Sequence, residues 1–257
     1  MITSGRTVGL VARLLVIGCV LGCVAWSSSL LWLLRNDNAS ESNAVAYRIM
    51  SGDAFQLAKG HVLSSLVDEY ETKAVCIPLE ARAAVTIRVR LFEDAVSNSK
   101  IQEIDEHRNA LIASIKKGLR CTPTDGFLWF VRYWTEVSGG GGVDAHFEEL
   151  RMSYLLAPLE AWIAARRNSF ALAIYEVLPP DLMEYTVNEY VALVDAGFTA
   201  RAVQNLTGPG WPVRDVLLSR LGAARLESRL ALNRALLAEG IGVDIPGVDR
   251  TDRRPWR

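Results

Sequence analysis

The spacing of apolar residues is the feature that most constrains the fold. Over long segments after residue 45 these residues recur at intervals of three and four, and strict alternation is rare. Intervals of three and four place apolar side chains on one face of an α-helix. Val85 to Val89 is the one strand-like run, and it fits better in a helix over 79–97, where Ala84, Ile87 and Leu91 share a stripe. We therefore predict an all-α domain.

Prolines and glycines divide this domain into helices. Pro123, Pro158 and the pair at 179–180 stand where a following helix can begin, because the first helical residue needs no N–H donor. Four glycines at 139–142 predict a flexible turn, and the prolines and glycines of 208–212 predict a rigid loop. The predicted helices cover 53–70, 79–97, 101–119, 124–137, 144–156, 159–177, 181–195, 199–206 and 212–239.

An uncharged, apolar run occupies residues 14–34. At about 1.5 Å per residue a helix of that length crosses the roughly 30 Å hydrocarbon core of a bilayer. We expect an uncleaved transmembrane signal anchor. A cleaved signal peptide is one alternative, and a lipoprotein acylated at Cys23 is another, since 20–23 resembles a lipobox. Gly18 and Gly22, four residues apart, predict self-association of this helix through its small-residue face.

The charges around this run predict its orientation. Arg6 and Arg13 precede it, whereas Arg35 is followed by acidic residues, so the N-terminus is expected in the cytoplasm. The protein is then predicted to be a single-pass protein of a bacterial inner membrane with a periplasmic C-terminal domain. The predicted division is a cytoplasmic N-terminus at 1–13, the anchor at 14–34, a polar linker at 35–44, the extracytoplasmic helical domain at 45–239 and a basic, proline-containing tail at 240–257.

The overall charge argues against a nucleic-acid partner. The 257 residues include 28 Lys and Arg against 29 Asp and Glu, a net charge of -1, so no global field attracts a polyanion. Half of the residues are hydrophobic, which is too many for a largely disordered chain.

The four cysteines fall into two pairs. Cys19 and Cys23 lie in the apolar run, whereas Cys76 and Cys121 lie in the part predicted to face an oxidising compartment. We predict a disulfide between Cys76 and Cys121, with two separate buried thiols as the alternative. The three histidines are scattered and no Cys-x-x-Cys occurs, so the sequence predicts no metal site.

Catalytic motifs are not evident in the sequence. Ser97 and Lys100 have the Ser-x-x-Lys spacing of acyl-transferring enzymes, but the partner motifs are missing. The glycines at 139–142 are not followed by the Lys-Ser/Thr pair that a phosphate-binding loop needs. We therefore predict a non-catalytic protein that needs no cofactor.

Aromatic and arginine residues cluster in two of the predicted helices. Trp162 and Arg166 stand four residues apart and share a helix face, where a guanidinium stacked on an indole suits a peptide, a carboxylate or a sugar ring. The alternative is that the aromatic residues are interhelical core and the arginines pair with Glu136, Glu160 or Glu176. The predicted binding residues are Trp129, Arg132, Tyr133, Trp162, Arg166 and Arg167.

One spacing repeats along the chain. Pro123 and Pro158 are 35 residues apart, each followed by an acidic residue and a Trp. Upstream, Ile115 and Gly118 occupy the large and small positions that Leu150 and Ser153 occupy in the next unit. In this pattern the chain resembles tetratricopeptide helical hairpins over roughly 79–195. Trp162, four residues after Pro158, and Arg132, at a usual Leu position, depart from the pattern.

Three segments carry a second resemblance. They are 121–129, 158–168 and 205–211, and in them the chain is similar to single-pass alphaproteobacterial membrane proteins that accompany extracellular polysaccharide genes. This resemblance implies a context and no catalytic residues.

The predicted function combines these features. We expect a membrane-anchored accessory or scaffold protein of a cell-envelope assembly, in polysaccharide synthesis or export, with envelope proteins as partners. A glycan-binding or glycan-modifying periplasmic protein is the alternative.

Overall fold

The computed structural model describes residues 15–29, 37–50, 60–72, 75–99, 101–158 and 160–249. Within these ranges the chain is helical and contains no strand, which confirms the predicted all-α class. The helices are α1 (15–29), α2 (Asp37–Met50), α3 (Gly60–Thr72), α4 (Pro78–Ser97), α5 (Ile101–Cys121), α6 (Gly126–Ser138), α7 (Phe147–Leu156), α8 (Ala161–Ala173), α9 (Pro180–Asp195), α10 (Thr199–Thr207), α11 (Arg214–Arg220) and α12 (Leu226–Ala238).

The described residues do not contain the transmembrane helix predicted over 14–34. Among the described residues, no helix combines the length and the apolar character that crossing a bilayer requires. In this region the described residues, 15–29, are helical. Residues 14 and 30–34 of the predicted span lie outside the described ranges.

Gly18 and Gly22 lie on α1, and no other group comes within 4 Å of where a Cβ would stand on either. Self-association of this helix through the two glycines stays a prediction. It was argued for a transmembrane helix, which the described residues do not show.

The polar segment predicted as a linker at 35–44 is largely helical, because α2 begins at Asp37. Ser42 and Ala46 are buried, and Val45 and Ile49 pack against the core cluster between α3 and α4. These four positions follow the i, i+3, i+4, i+7 spacing of one helix face. The buried stripe of α2 is therefore short. Most residues of α2 are polar, and the burial of this stripe against α4 stabilises the helix.

Three helical hairpins form the centre of the fold. Helix α4 packs along α5, α6 along α7, and α8 along α9, each pair joined by a short connection. The first helices of successive hairpins also contact one another, so that α4, α6, α8 and α10 form one row. The main core lies between the hairpins and includes Leu111, Leu128, Leu150 and Leu182.

A glycine allows α5 and α6 to approach closely. A Cβ on Gly118 would lie 2.9 Å from Cδ1 of Leu128, inside van der Waals contact. The absence of a side chain at Gly118 therefore permits the close packing of these two helices. Asp125 then starts α6 by accepting a hydrogen bond from the backbone N–H of Phe127 at 2.9 Å.

At the N-terminal end, α2 and α3 pack on α4. Arg88 of α4 is buried and ties α3 to α4, since Nη2 lies 2.7 Å from Asp68 and 2.8 Å from Glu71. The predicted disulfide is confirmed: Cys76 and Cys121 are bonded, with their Cα atoms 5.4 Å apart. It joins the segment before α4 to the end of α5 and closes a loop of 45 residues.

At the C-terminal end, α11 and α12 pack on α9. The single helix predicted over 212–239 is interrupted between Leu221 and Arg225. Asp195, at the end of α9, accepts a hydrogen bond from the backbone N–H of Arg225 at 2.7 Å, which favours a new helix start there. The first part of the predicted tail packs onto the core, since Ile245 is buried. Residues 250–257 lie outside the described ranges.

Candidate binding groove

The row of helices α4, α6, α8 and α10 borders a groove of about 620 Å³. Helix α6 supplies most of its floor through four residues at i, i+3, i+4 and i+7 spacing, which share one helix face. Helix α8 supplies one wall, and Arg201 of α10 stands at one edge. The α6 residues are Phe127, Phe130, Val131 and Trp134, and the α8 residues are Ala165, Arg166, Ser169, Phe170 and Ala173.

Two smaller depressions adjoin the groove. One of about 40 Å³ shares Val89, Phe127 and Arg166 with it and extends to Met50 of α2. The other, of about 410 Å³, shares Ala173 and Pro209 with it and extends over the turn at Tyr175–Val177. The three depressions share these lining residues, and we call them together the groove channel.

Contacts between aromatic rings hold the floor of the groove. The rings of Phe127 and Trp162 lie 4.7 Å apart between centroids, and those of Phe92 and Trp134 lie 5.6 Å apart in an edge-to-face arrangement. Offset and edge-to-face aromatic pairs are favourable by about 0.5 to 1.5 kcal/mol beyond their burial. Phe127 is buried, whereas Trp134 and Phe170 keep part of their surface exposed to the groove. The floor is therefore apolar and well packed.

Charged groups stand at the edge of the groove. Arg166 is exposed, and its Nη1 donates to Oε1 of Glu93 at 3.2 Å. Arg201 is also exposed, and it makes no ion pair or hydrogen bond with any residue that the structure describes. Two guanidinium groups and one carboxylate leave this edge with a net positive charge. It suits a carboxylate on a ligand, because guanidinium groups bind carboxylates in planar, bidentate geometry.

Two of the six predicted binding residues border the groove channel. Arg166 lines the groove, and Trp162 lines the small depression beside it. The indole Nε1 of Trp162 donates to Oε2 of Glu160 at 3.2 Å, and the guanidinium of Arg82 lies 5.4 Å from the centre of its ring. These contacts hold the Trp162 ring in place.

Trp129 and Arg132 lie on a different face of α6. The indole Nε1 of Trp129 donates to the carbonyl of Pro123 at 2.7 Å. The Arg132 guanidinium lies 5.6 Å from the centre of the Trp129 ring and 3.4 Å from Glu149. Both side chains are partly exposed, and neither borders the groove channel.

Tyr133 and Arg167 are buried in the interior, with no exposed surface. The Tyr133 ring packs edge-to-face against Phe170 at 5.7 Å, and burial raises the pKa of its hydroxyl, as does the charge of Glu149 to a smaller extent. The six predicted residues therefore do not form one surface. Tyr133 fits the alternative in which the aromatic residues are interhelical core. The three arginines do not pair with the glutamates predicted under that alternative. Their ion-pair partners are Glu149 for Arg132, Glu93 for Arg166 and Glu189 for Arg167.

Arg167 is the centre of a buried polar network. Its Nε donates to Oε1 of Glu189 at 3.0 Å, and its Nη1 donates to the carbonyl and hydroxyl of Ser153 at 2.7 and 2.8 Å. Its Nη2 donates to the carbonyl of Ala157 at 3.0 Å and to the same Glu189 oxygen. Burial raises the pKa of the Glu189 carboxyl above its ordinary value, although the Arg167 charge opposes this.

Two asparagines extend the network to α10. The Nδ2 of Asn168 donates to the carbonyl of Thr186 at 2.8 Å, and the Nδ2 of Asn205 donates to Oδ1 of Asn168 at 2.9 Å. The network thereby links α7, α8, α9 and α10. Because its charged groups are buried and hydrogen-bonded to one another, it positions helices and does not contact a ligand in the groove.

Sequence reasoning missed Phe130, Trp134, Phe170 and Arg201. The aromatic residues follow helical spacing, which predicts core, whereas the neighbouring helices leave Trp134 and Phe170 partly exposed. Arg201 stands in a short helix, Thr199–Thr207, whose own sequence contains no aromatic residue. Among the described residues, no group of three or more histidine, cysteine, aspartate or glutamate side chains is placed to hold a metal ion.

Comparison with known proteins places this chain in no family. No protein-family model, curated protein or solved structure matches it.

Proposed function

We propose that this chain is a non-catalytic interaction protein that binds a segment of a partner polypeptide along the groove channel. The observation that carries the proposal is that the groove shares lining residues with the depressions at Met50 and at Tyr175–Val177. A series of adjoining depressions beside apolar side chains suits a chain-like ligand better than a compact one, and rows of helical hairpins often present concave surfaces.

The side chains of the groove define the chemistry of the ligand. Trp134 and Phe170 offer partly exposed rings to apolar side chains of the partner. Arg201 and Arg166 stand beside them and favour a carboxylate on the same segment. The ligand we propose is a short segment that combines apolar residues with at least one Asp, Glu or terminal carboxylate.

The disulfide bears on where this binding takes place. A bond between Cys76 and Cys121 persists in an oxidising compartment, such as the bacterial periplasm. We propose that the protein is an accessory or scaffold subunit of a cell-envelope assembly outside the cytoplasm. Polysaccharide synthesis or export is the context that the sequence resemblance implies for it.

The test compares two substitutions of serine in the tagged, full-length protein. Ser169 borders the groove, so Ser169→Trp fills it without removing a core side chain. Ser138 is exposed at the end of α6 and borders none of the three depressions, so Ser138→Trp is the matched control. Each protein is purified from its native cells, and the proteins that accompany it are identified by mass spectrometry.

We expect one stoichiometric envelope protein with the wild type and with Ser138→Trp, and its loss with Ser169→Trp. Equal recovery with all three proteins would contradict a role for the groove. A synthetic peptide from the recovered partner is then titrated against the purified protein, and replacing its acidic residue by the amide is expected to weaken binding.

Glycan binding is the second candidate, favoured by the partly exposed rings of Trp134 and Phe170, since sugar rings stack on aromatic faces. It predicts that the purified protein, freed of other proteins by detergent, binds polysaccharide from the same cells. Loss of that binding in Ser169→Trp, together with the absence of a protein partner, would favour this candidate.

A further inference from the structure

One ion pair joins the two sides of the groove. Glu93 of α4 and Arg166 of α8 both line it, and Nη1 of Arg166 lies 3.2 Å from Oε1 of Glu93. Helix α6, which supplies most of the floor, contacts both α4 and α8 and stands between them in the row of helices. Arg166 also lines the depression at Met50, so the pair stands where the groove and this depression meet.

Glu93 is a carboxylate that the protein itself supplies to the groove. Arg166 holds it by the same charge-assisted hydrogen bonding that would hold a carboxylate on a ligand. Two carboxylates at one guanidinium repel each other, so a ligand that binds Arg166 competes with Glu93. Arg201, at the same edge, pairs with no residue that the structure describes, and it attracts a ligand carboxylate without this competition.

A second arginine gives Glu93 a partner when Arg166 leaves it. Arg90 stands one turn before Glu93 on α4, and its Nη1 lies 3.9 Å from Oε2 of Glu93. Arg166 contacts the other oxygen, Oε1. All three side chains are partly exposed, so water can hydrate Oε1 after the pair opens. Because exposed ion pairs contribute little free energy, a ligand carboxylate is able to displace Glu93.

We propose that Glu93 is an internal competitor for the groove: it occupies Arg166 in the free protein and yields this guanidinium when a ligand carboxylate binds. The inference rests on the proposed function, because it assigns the regulation of that same groove. Glu93 is then a specificity-determining residue, since the competition weakens the binding of acidic ligands and leaves that of neutral ligands unchanged.

The test uses two probes that share one apolar body. Cinnamate carries a carboxylate on an aromatic ring and its short linker, and cinnamamide carries a neutral amide in the same place. Each is titrated against the ¹⁵N-labelled full-length protein while the backbone amide signals of Ser169 and Phe170 in the groove are followed by NMR. We expect Glu93→Gln to bind cinnamate about fivefold more tightly than the wild type, because Arg166 is then unoccupied. The affinity for cinnamamide should be the same in both proteins.

Two further variants show whether the effect depends on Arg166. Glu136 also pairs with an arginine, has a similarly exposed side chain (32% against 28% for Glu93) and borders none of the three depressions. Glu136→Gln therefore removes the same charge elsewhere and should bind cinnamate as the wild type does. In an Arg166→Met background, Glu93→Gln should change the affinity for cinnamate less than about twofold, because the residue it competes for is gone.

Failure of the competition is distinguishable from failure of the groove. If Glu93→Gln leaves the affinity for cinnamate unchanged, raises that for cinnamamide equally or has the same effect in the Arg166→Met background, Glu93 is not a competitor and the groove remains a binding site. If neither probe gives saturable shifts in any of these proteins, both the competition and the proposed carboxylate-binding groove are overturned.

Discussion

Arg167 and Glu189 form an ion pair inside the protein, where the two side chains are 0% and 3% exposed. The pair joins α8 to α9, and the remaining donors of Arg167 extend it to α7. Arg166, the preceding residue, is exposed at the groove and pairs with Glu93. Consecutive helical residues point about 100° apart, so two neighbouring arginines serve different parts of the molecule.

Replacing Arg167 by Met tests the buried pair. It leaves the Glu189 charge without a partner, so we expect the free energy of unfolding to fall by about 3 to 5 kcal/mol. Arg166→Met, one residue away, removes an exposed ion pair and should cost less than about 1 kcal/mol. Urea unfolding followed by circular dichroism measures both. Similar losses in the two variants would show that the pair contributes no more than a surface contact.

The disulfide is expected to stabilise the fold mainly by restricting the unfolded chain. For a closed loop of 45 residues, the chain-entropy relation predicts that Cys76→Ser lowers the free energy of unfolding by about 4 kcal/mol. Chemical unfolding of both proteins, each with and without a reductant, measures this. The reductant should destabilise the wild type alone, and a reductant effect in Cys76→Ser would point to a different cause.

Two glycines provide a matched test of packing. A Cβ on Gly126 would lie 2.5 Å from Cβ of Ala157 and 2.9 Å from its backbone nitrogen, so Gly126→Ala should destabilise the protein by about 1 to 3 kcal/mol. Gly222 has no group within 4 Å of that position. Gly222→Ala should therefore stabilise the protein by about 0.4 to 1 kcal/mol, because it restricts the unfolded chain. Thermal unfolding measures the stability of both variants. A more stable Gly126→Ala together with a less stable Gly222→Ala would contradict the packing described here.

Acid unfolding should depend in part on Asp181. The hydrogen bond from Arg151, whose Nε lies 2.6 Å from Oδ2, holds the pKa of the Asp181 carboxyl below its ordinary value. A lowered folded-state pKa contributes stability above the unfolded-state pKa, about 3.9, and this stability is lost as the pH falls through the folded-state pKa. Asp181→Asn and Arg151→Met should each lose less stability than the wild type as the pH falls below the unfolded-state pKa of about 3.9. Parallel stability curves for all three proteins would exclude the contribution.

The candidate site could be predicted only in part. Trp162 and Arg166 were selected for their spacing on one helix face, and both border the groove channel. On α6 the clustering of aromatic and arginine residues indicated Trp129, Arg132 and Tyr133, whereas the groove uses another face of that helix. A single sequence shows which residues share a helix face, but it does not show which face a neighbouring hairpin covers.

Local chemistry determined the helical class, the start of α9 at Pro180 and a cysteine pairing that the fold makes, whereas α6 and α8 begin three residues after Pro123 and Pro158. These features depend on neighbours within a few residues, or on the only two cysteines of the helical domain. Tertiary structure decided the rest. Burial against α4 makes α2 helical, and a contact between Asp195 and Arg225, 30 residues apart, begins α12. Tertiary structure also gives Arg166 and Arg167 different roles. The Arg167 guanidinium is buried and hydrogen-bonded to α7 and α9, whereas the Arg166 guanidinium lies at the surface and pairs with Glu93.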